Sequence, residues 1–254
     1  MRVKSPAPAG LFACVPGAFV RALRRDLRYR YADPFNAESA VPNDQPLTIW
    51  GRPNSVNVQK VLWCLAELDV PFERIDAGMQ FGRNTESDYL AMNPNGRVPT
   101  LVEGHFVLWE SNSIMRYLCL AHGPQSSIYP HEPRQRAAVD RWLDWTLSTV
   151  QPIERPVFWG LVRTPPAERD MLALQKAADA VAEVVWKTLD RQLATRRYVE
   201  GDVFTLADIA LGAYARRWFG IEGVEKPELP QLVRWFASLE GRPGFVRYVA
   251  PPLS

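Results

Sequence analysis

The fold class follows most directly from residues 46–76, which read PLTIWGRPNSVNVQKVLWCLAELDVPFERID. The short apolar run Leu47–Trp50, ended by a turn that contains Gly and Pro, predicts a strand. From Ser55 onward, apolar residues recur with helical spacing until the next proline, which predicts one helix. Phe72–Asp76 predicts a second strand. A strand, a crossover helix and a second strand form a βαβ unit, in which the two strands are parallel.

The next segments predict an antiparallel addition to this sheet. Thr100–Val102 and Phe106–Leu108 are separated by three residues that include Gly104, a spacing typical of a hairpin. The predicted sheet is therefore mixed and has four strands. Ser87–Met92 and a segment that begins at Ser111 predict two more helices.

The rest of the chain is predicted to be all-helical. Residues 123–132 contain Gly, Pro and Ser and are interpreted as a linker. Three later stretches have helical spacing, and Thr205–Asp208 forms a capping box that predicts the start of another helix. The apolar members are Val139, Leu143, Leu147 and Val150; Ala178, Val181, Val185, Leu189 and Leu193; and, in the last helix, ended by Gly241 and Pro243, Leu232, Trp235, Phe236 and Leu239. We expect an α/β domain over 46–122 and a helical domain over 133–254.

The composition excludes several classes of protein. Hydrophobic residues make up 47% and charged residues 23% of the 254 residues, which is typical of a globular chain. No run approaches the roughly 18 uncharged apolar residues of a membrane span. A net charge of +2 predicts no nucleic-acid surface, and the three Cys and three His lack the spacing of a disulfide scaffold or metal site. We expect a cytoplasmic protein with no metal, and with neither nucleic acid nor a membrane as a partner.

Residues 1–45 differ from the rest of the chain in charge. They contain seven Lys and Arg residues and four acidic residues, a net +3, which leaves 23 − 24 = −1 for the other residues. The apolar stretch 10–20 is interrupted by Pro16 and followed by three arginines, which disfavours a secretion signal. We expect a flexible extension that the fold and the activity do not need.

Ser55 and Asn57 lie in the first turn of the first predicted helix. Both residue types cap helix N-termini by accepting hydrogen bonds from free N–H groups, so one interpretation is structural. The other is that a hydroxyl and an amide are presented to an anionic atom of a ligand. A serine nucleophile needs a neighbouring base, and no histidine is close in the sequence. We therefore expect Ser55 to donate a hydrogen bond rather than to attack.

Residues 93–100, which read NPNGRVPT, form a second cluster at the start of a strand. Pro99 cannot donate to the sheet, and a cis Val98–Pro99 peptide would turn the chain sharply. The N–H and C=O of Val98 would then be free to pair with an extended peptide ligand. The alternative is a plain loop with a proline at the start of the strand.

Glu110 and Ser111 form a third cluster, where a strand ends and a helix begins. The Ser111 N–H and hydroxyl at the positive end of the helix can bind a carboxylate, and Glu110 can accept from an ammonium group. The pair therefore matches the two charged groups of an amino acid. The alternative is again a helix cap.

In order and spacing, the three clusters resemble the glutathione S-transferase family over about residues 46–248. The capping box Thr205–Asp208 and the sequence RPGF at 242–245 belong to the same resemblance. It implies a thioredoxin-like N-terminal domain, an all-helical C-terminal domain and a homodimer. Glutathione would be the co-substrate, and a hydrophobic electrophile would bind mainly against the helical domain.

The resemblance also implies how glutathione would be held. Glu110 and Ser111 would bind its γ-glutamyl end, and the Val98 backbone would pair with the cysteinyl unit, with Pro99 cis. Arg97 would meet the glycyl carboxylate.

The resemblance places Ser55, Asn57 or both at the glutathione sulfur, as in theta-like and nu-like bacterial members. Hydrogen bonds to the sulfur favour the thiolate, which then attacks an electrophilic carbon. Neither Tyr nor Cys stands at the start of the first helix, which disfavours tyrosine-type and thiol-disulfide members. Cys64 lies further inside that helix and is interpreted as a core residue.

The site of the second substrate is less well defined by the sequence. Arg163 suggests either an anionic substrate or a solvated loop charge. Aromatic residues of the helical half are the candidates for its lining: Phe158, Trp159, Tyr214 and Trp218, with Trp142 and Trp145 as further members.

Three functions remain open at this point. The first is a glutathione transferase, which conjugates glutathione to electrophiles. The second is a glutathione-dependent disulfide reductase, suggested by nu-like members. The third is a non-catalytic protein of the same fold that binds glutathione or another ligand.

Overall fold

The computed structural model describes residues 46–254, so the predicted extension 1–45 lies outside the described residues. The first half of this range alternates strands and helices. Its elements are β1 (Leu47–Trp50), α1 (Val56–Glu67), β2 (Phe72–Ile75), a 3₁₀ turn (Met79–Phe81), α2 (Ser87–Met92), β3 (Thr100–Glu103), β4 (Phe106–Trp109) and α3 (Ser111–Ala121).

The four strands form one mixed sheet in the order β2-β1-β3-β4. β1 pairs with β2 in parallel, whereas β1–β3 and β3–β4 are antiparallel. This confirms the predicted βαβ unit and hairpin. Ile49 of β1 lies opposite Leu101 of β3, and both side chains are fully buried in the core beneath the sheet.

The second half is built from helices. Its elements are α4 (Pro133–Trp145), a π turn (Thr146–Val150), α5 (Gln151–Phe158), a π turn (Trp159–Arg163), a 3₁₀ turn (Pro166–Glu168), α6 (Met171–Val181), a π turn (Ala182–Trp186), α7 (Lys187–Leu193), α8 (Leu206–Gly220), α9 (Pro230–Glu240) and α10 (Pro243–Tyr248). No helix of residues 46–254 is long and apolar enough to cross a bilayer.

Leu147 does not lie on the buried face that the sequence predicted for its helix. Val139, Leu143 and Val150 are buried, but Leu147 is 37% exposed. Steps of four residues advance about 40° around a helix of 3.6 residues per turn, so the third residue of such a series leaves the face of the first.

The end of the chain also differs from the prediction. Gly241 ends α9 as expected, but Pro243 does not terminate helical structure, because it begins α10. Proline has no N–H to donate, and the first turn of a helix does not need one. The expected last helix is therefore followed by another short one.

The α1 helix lies at the centre of the structure, packed against α3, α8 and α10. Its Trp63 is fully buried and contacts the rings of Phe245 and Phe204, at centroid distances of 5.2 and 5.7 Å. Glu67, one turn further on, accepts hydrogen bonds from Arg242 at 2.9 Å and from Trp63 at 2.8 Å. These contacts hold α1, and with it the residues at its N-terminus, against the helical half.

Candidate active site

The N-terminus of α1 presents a serine whose side chain does not cap the helix. Ser55 is the N-cap residue, with extended backbone angles (φ −88°, ψ 122°), and its carbonyl accepts from the Gln59 N–H at 2.8 Å. Its hydroxyl, however, accepts no hydrogen bond from the first turn. Ser55 is 6% exposed and lines a cavity between the sheet and the helical half. The structural interpretation of Ser55 as a side-chain cap is therefore not seen.

Asn57 brings the first and third sequence clusters together. The Ser111 hydroxyl donates to the Asn57 Oδ1 at 3.3 Å, across 54 residues of sequence. Because the carbonyl side of the amide faces Ser111, its NH₂ group is left for another acceptor. Asn57 lines the same cavity as Ser55.

Lys60 lies beneath these residues and was assigned no role from the sequence. It is fully buried, and its Nζ donates to Asn112 Oδ1 at 3.0 Å. Asn112 in turn donates to the Leu143 carbonyl at 2.7 Å and to the Thr146 hydroxyl at 3.2 Å. Burial lowers the pKa of Lys60 to about 7, and the nearby Glu110 partly opposes this change. Lys60 lies about 200° around the helix from Val58, outside the apolar face that the spacing predicts, so no spacing along α1 indicated that it would be buried.

The second cluster surrounds a cis Val98–Pro99 peptide, as predicted. The Arg97 carbonyl just before it accepts from Tyr89 Oη at 2.6 Å and from Asn93 Nδ2 at 2.9 Å. Within residues 46–254, the N–H and C=O of Val98 make no hydrogen bond. Tyr89 and Asn93 thus fix the loop through the Arg97 carbonyl. The N–H and C=O of Val98 have no hydrogen-bond partner in this range, and Val98 lines the cavity.

Glu110 has an unusual backbone conformation at the third cluster. Its φ is +72°, although it is not a glycine, and its side chain is exposed. Non-glycine residues at positive φ are uncommon and occur often at functional sites. Glu110 is the N-cap residue of α3, without a side-chain cap, and Ser111 follows as a buried first helical residue. The second cap interpretation is therefore not seen either.

The cavity has a volume of about 290 Å³. Ser55, Asn57 and Val98 line one side of it, and Trp159 and Tyr214 of the helical half line the other. The Tyr214 hydroxyl has no hydrogen-bond partner among the described residues, and burial raises its pKa. Polar groups of the sheet half thus face aromatic side chains of the helical half.

The other aromatic candidates do not line this cavity. Phe158 is buried, and the Arg217 guanidinium lies over its ring at 3.7 Å. Trp218 packs against Trp186, with ring centroids 5.9 Å apart. Trp142 and Trp145 form an edge-to-face pair on α4. Of the four favoured aromatic residues, the structure brings Trp159 and Tyr214 to the site.

Cys64 is buried in the core of α1. A hydrogen bond with Cys119 and burial both raise the pKa of its thiol. A thiol of raised pKa is a poor nucleophile at neutral pH. This agrees with the interpretation of Cys64 as a core residue.

Known proteins of similar sequence and structure identify the class to which the chain belongs. The models of the glutathione S-transferase N-terminal and C-terminal domains match residues 45–119 and 150–243. Glutathione S-transferase GstB of Escherichia coli K12 is 41% identical over 210 residues, 82% of this chain and all of that protein. Glutathione S-transferase 3 of Zea mays is 28% identical, over 81% of this chain and 94% of that protein.

A solved structure of a similar protein agrees with these sequence matches. The theta class glutathione S-transferase of the citrus canker pathogen Xanthomonas axonopodis pv. citri, with glutathione bound, is 45% identical, with a TM-score of 0.78. The match covers 83% of this chain and 100% of that one. The chain therefore belongs to the glutathione S-transferase family. Its thioredoxin-like N-terminal domain, its all-helical C-terminal domain and its identity as a glutathione S-transferase enzyme are confirmed.

Proposed function

We propose that this enzyme binds glutathione in the cavity at the start of α1, stabilises its thiolate and transfers it to a hydrophobic electrophile. The observation that carries the proposal is that Ser55 and Asn57 line the cavity while the Ser55 hydroxyl caps no helix. The Xanthomonas relative is described with glutathione bound, which supports the choice of thiol.

Glutathione would extend from the third cluster to the second. Ser111 and Glu110 would bind the α-carboxylate and α-amino group of its γ-glutamyl end at the start of α3. The free backbone of Val98 would pair with the cysteinyl unit, next to the cis Pro99. Arg97, exposed at the cavity rim, would meet the glycyl carboxylate.

The role of Ser55 and Asn57 would be to lower the pKa of the bound thiol. A free thiol has a pKa of about 8.5, so only a few per cent of it is thiolate at neutral pH. Lowering that value by about two units requires about 2.7 kcal/mol. One or two hydrogen bonds to the sulfur at a helix N-terminus are of this size. The Ser55 hydroxyl and the Asn57 NH₂ group would be the two donors, since both residues line the cavity.

The electrophile would lie against Trp159 and Tyr214. Their rings line the cavity opposite Ser55, so an electrophilic carbon between the two sides would meet the sulfur. The thiolate forms a carbon–sulfur bond there, and the leaving group departs with the bonding electrons.

We also propose that the enzyme is a cytoplasmic homodimer, divided into domains at 46–122 and 133–254 with 123–132 as linker. The family resemblance and the lack of disulfide spacing support these assignments. Sedimentation equilibrium on the full chain tests the dimer, because a mass of one chain at micromolar concentration would contradict it.

Three measurements made side by side test the proposed function. They are conjugation of 1-chloro-2,4-dinitrobenzene, reduction of 2-hydroxyethyl disulfide and retention on immobilised glutathione. We expect retention together with chloride displacement, in which the carbon–sulfur bond forms and the carbon–chlorine bond breaks. Faster disulfide reduction would replace the transferase with a reductase, and retention without turnover would indicate a binding protein.

A further inference from the structure

The cavity wall carries far more positive than negative charge. Four arginines line it, and Glu154 is the single acidic residue among the described residues that do. Arg163 adds a fifth guanidinium, lying over the ring of the cavity residue Trp159 at 4.9 Å. The four lining arginines are Arg52, Arg97, Arg155 and Arg217.

Glu154 neutralises only one of these charges. Its carboxylate pairs with Arg217 at 3.2 Å, and both side chains are almost fully buried, at 6% and 10% exposure. Burial raises the pKa of Glu154, and Arg217 opposes this rise. Glu154 and Arg217 therefore neutralise each other. No other carboxylate of residues 46–254 lines this wall to pair with the remaining guanidiniums.

Arg52 and Arg163 lie close enough to this pair for the charge of Arg217 to lower their pKa values. Neither forms a salt bridge within residues 46–254, and the Nε atom of each is buried without a hydrogen-bond partner in that range. Arg163 donates to the backbone oxygen of Ser254 at 3.0 Å and to the Met79 sulfur. A buried donor atom without a partner is costly, and because both side chains are only half-buried, a ligand in the cavity can accept hydrogen bonds from their guanidiniums.

The guanidiniums also act on one another. Burial lowers the pKa of Arg52 to about 10, and the charges of Arg163 and Arg217 lower it further in the same direction. Burial and Arg217 likewise lower the pKa of Arg163. The three side chains thus form a mutually repelling group. Arg97 and Arg155 are exposed, so solvent screens their charges more strongly.

Two of the three arginines of this group belong to the half of the protein that does not carry the residues assigned to glutathione. Arg52 lies in the turn between β1 and α1, three residues before Ser55. Arg163 and Arg217 come from the helical half, as do Trp159 and Tyr214. Glutathione, in contrast, is assigned to the edge formed by Val98, Glu110 and Ser111.

We infer that the second-substrate side of the cavity selects electrophiles that carry a carboxylate, bound by Arg52 and Arg163. The inference rests on the proposed function and specifies its substrate class. A carboxylate fits the planar fork of a guanidinium and can accept from two donors at once. The anion lies beside the reacting carbon, so it orients the electrophile towards the sulfur near Ser55.

A matched pair of electrophiles tests the inference on the full chain. The probes are 4-chloro-3,5-dinitrobenzoate and 4-chloro-3,5-dinitrobenzamide, which differ in charge but share the displaced chloride. At saturating glutathione, kcat/KM is measured for each and divided by the uncatalysed rate constant. We expect a preference of at least tenfold for the benzoate. Turnover of both probes without a preference would overturn the inference and leave the proposed function standing.

Four variants and one control assign the preference to the arginines. Arg52→Gln and Arg163→Gln should each reduce the ratio severalfold, and the double variant should abolish it. Arg52→Lys, which keeps the charge, should retain part of it. Arg247→Gln removes an exposed arginine that does not line the cavity and should leave the ratio unchanged. A preference that survives in the folded double variant, judged by its melting transition, would contradict the inference.

Binding measurements separate failure of the inference from failure of the proposed function. Calorimetry with 3,5-dinitrobenzoate and 3,5-dinitrobenzamide, which lack the leaving group, should give the same preference without turnover. No turnover of either chloro compound would overturn the proposed function, whereas tighter binding of the benzoate would still support the anion site. A tenfold weaker Kd for glutathione in Arg52→Gln or Arg163→Gln would overturn the inference, because those arginines would then hold glutathione.

Discussion

The helices α1 and α8 begin with similar residues but use them differently. At α8, the Asp208 carboxylate accepts from the Thr205 N–H at 2.9 Å, so polar groups at that helix start satisfy one another. At α1, the Ser55 hydroxyl accepts nothing from its own helix and faces the cavity. Polar side chains at the start of α8 are thus used within the fold, whereas the Ser55 hydroxyl at the start of α1 is not used by its own helix.

The same difference extends beyond these two helices. In the helical half, α4 is capped by Glu132, which accepts from Gln135 N–H at 2.8 Å, and α6 by Asp170, which accepts from Ala173 N–H at 3.0 Å. At the site, the N-cap residue of α3 is Glu110, and no side chain caps this helix. Variants at the two kinds of helix start should therefore separate loss of stability from loss of binding.

The largest effect is expected at Asp208. Its buried carboxylate accepts from Val199 N–H and Thr205 N–H, both at 2.9 Å, and from Trp235 Nε1 at 2.8 Å. Asp208→Ala leaves these donors buried without an acceptor, so we expect the free energy of unfolding to fall by about 3–5 kcal/mol. Urea unfolding of the wild type and the variant measures this loss of stability. Asp208→Asn keeps one acceptor oxygen and should lose less, and equal losses in both variants would contradict this explanation.

Ser111 and Glu110 should affect glutathione binding rather than stability. Charge-assisted hydrogen bonds contribute about 1.5–3 kcal/mol each, so Ser111→Ala or Glu110→Ala should weaken the Kd for glutathione about tenfold or more. Ser113→Ala, a serine two residues further along α3, is the matched control and should bind as the wild type does. An unchanged Kd by calorimetry in both site variants would remove this assignment.

Ser55 and Asn57 should change the titration of the bound thiol. Removing the main donor should raise its pKa by about one unit, which corresponds to 1.36 kcal/mol. Because Ser55 makes no side-chain cap, Ser55→Ala should change the free energy of unfolding by less than about 0.5 kcal/mol, whereas loss of a true cap costs about 1 kcal/mol.

The thiolate absorbance of bound glutathione near 240 nm, followed across pH, measures this effect. We expect Ser55→Ala to shift the midpoint more than Asn57→Ala. If neither midpoint moves, or if Ser55→Ala only lowers the free energy of unfolding, Ser55 and Asn57 do not stabilise the thiolate. The start of α1 would then have a purely structural role, as the start of α8 does.

The smallest effect is expected from Lys60 and appears as a pH dependence. Burial lowers its folded pKa from 10.5 to about 7, so between these values the unfolded chain binds more protons. The contribution of Lys60 to stability is therefore lowest below pH 7 and increases as the pH rises towards 10.5. Between pH 7 and pH 8, the wild type should gain about 1 kcal/mol relative to Lys60→Met. Urea unfolding curves that stay parallel over this interval would contradict the prediction.

Local patterns in the sequence predicted most of the secondary structure. The first strand, helix α1 and the hairpin have the expected positions, because strand alternation and helical spacing depend on neighbours a few residues apart. The capping box at Thr205 is equally local. Leu147 departs from the prediction because residues spaced by four drift around the helix. Pro243 departs from it because proline is found both after the end of a helix and in its first turn.

The sequence by itself thus determined the order of strands and helices in the α/β half, the mixed sheet and the three polar clusters. The tertiary structure decided which of those groups are free. Ser111 meets Asn57 across 54 residues, Lys60 meets Asn112 across 52, and Arg217 meets Glu154 across 63. Such pairs form only when α1 packs against α3 and α8 and the helical half closes the cavity, so no spacing along the chain indicates them. Whether a serine caps a helix or faces a ligand, and whether an arginine is paired or left for an anion, depends on those distant neighbours.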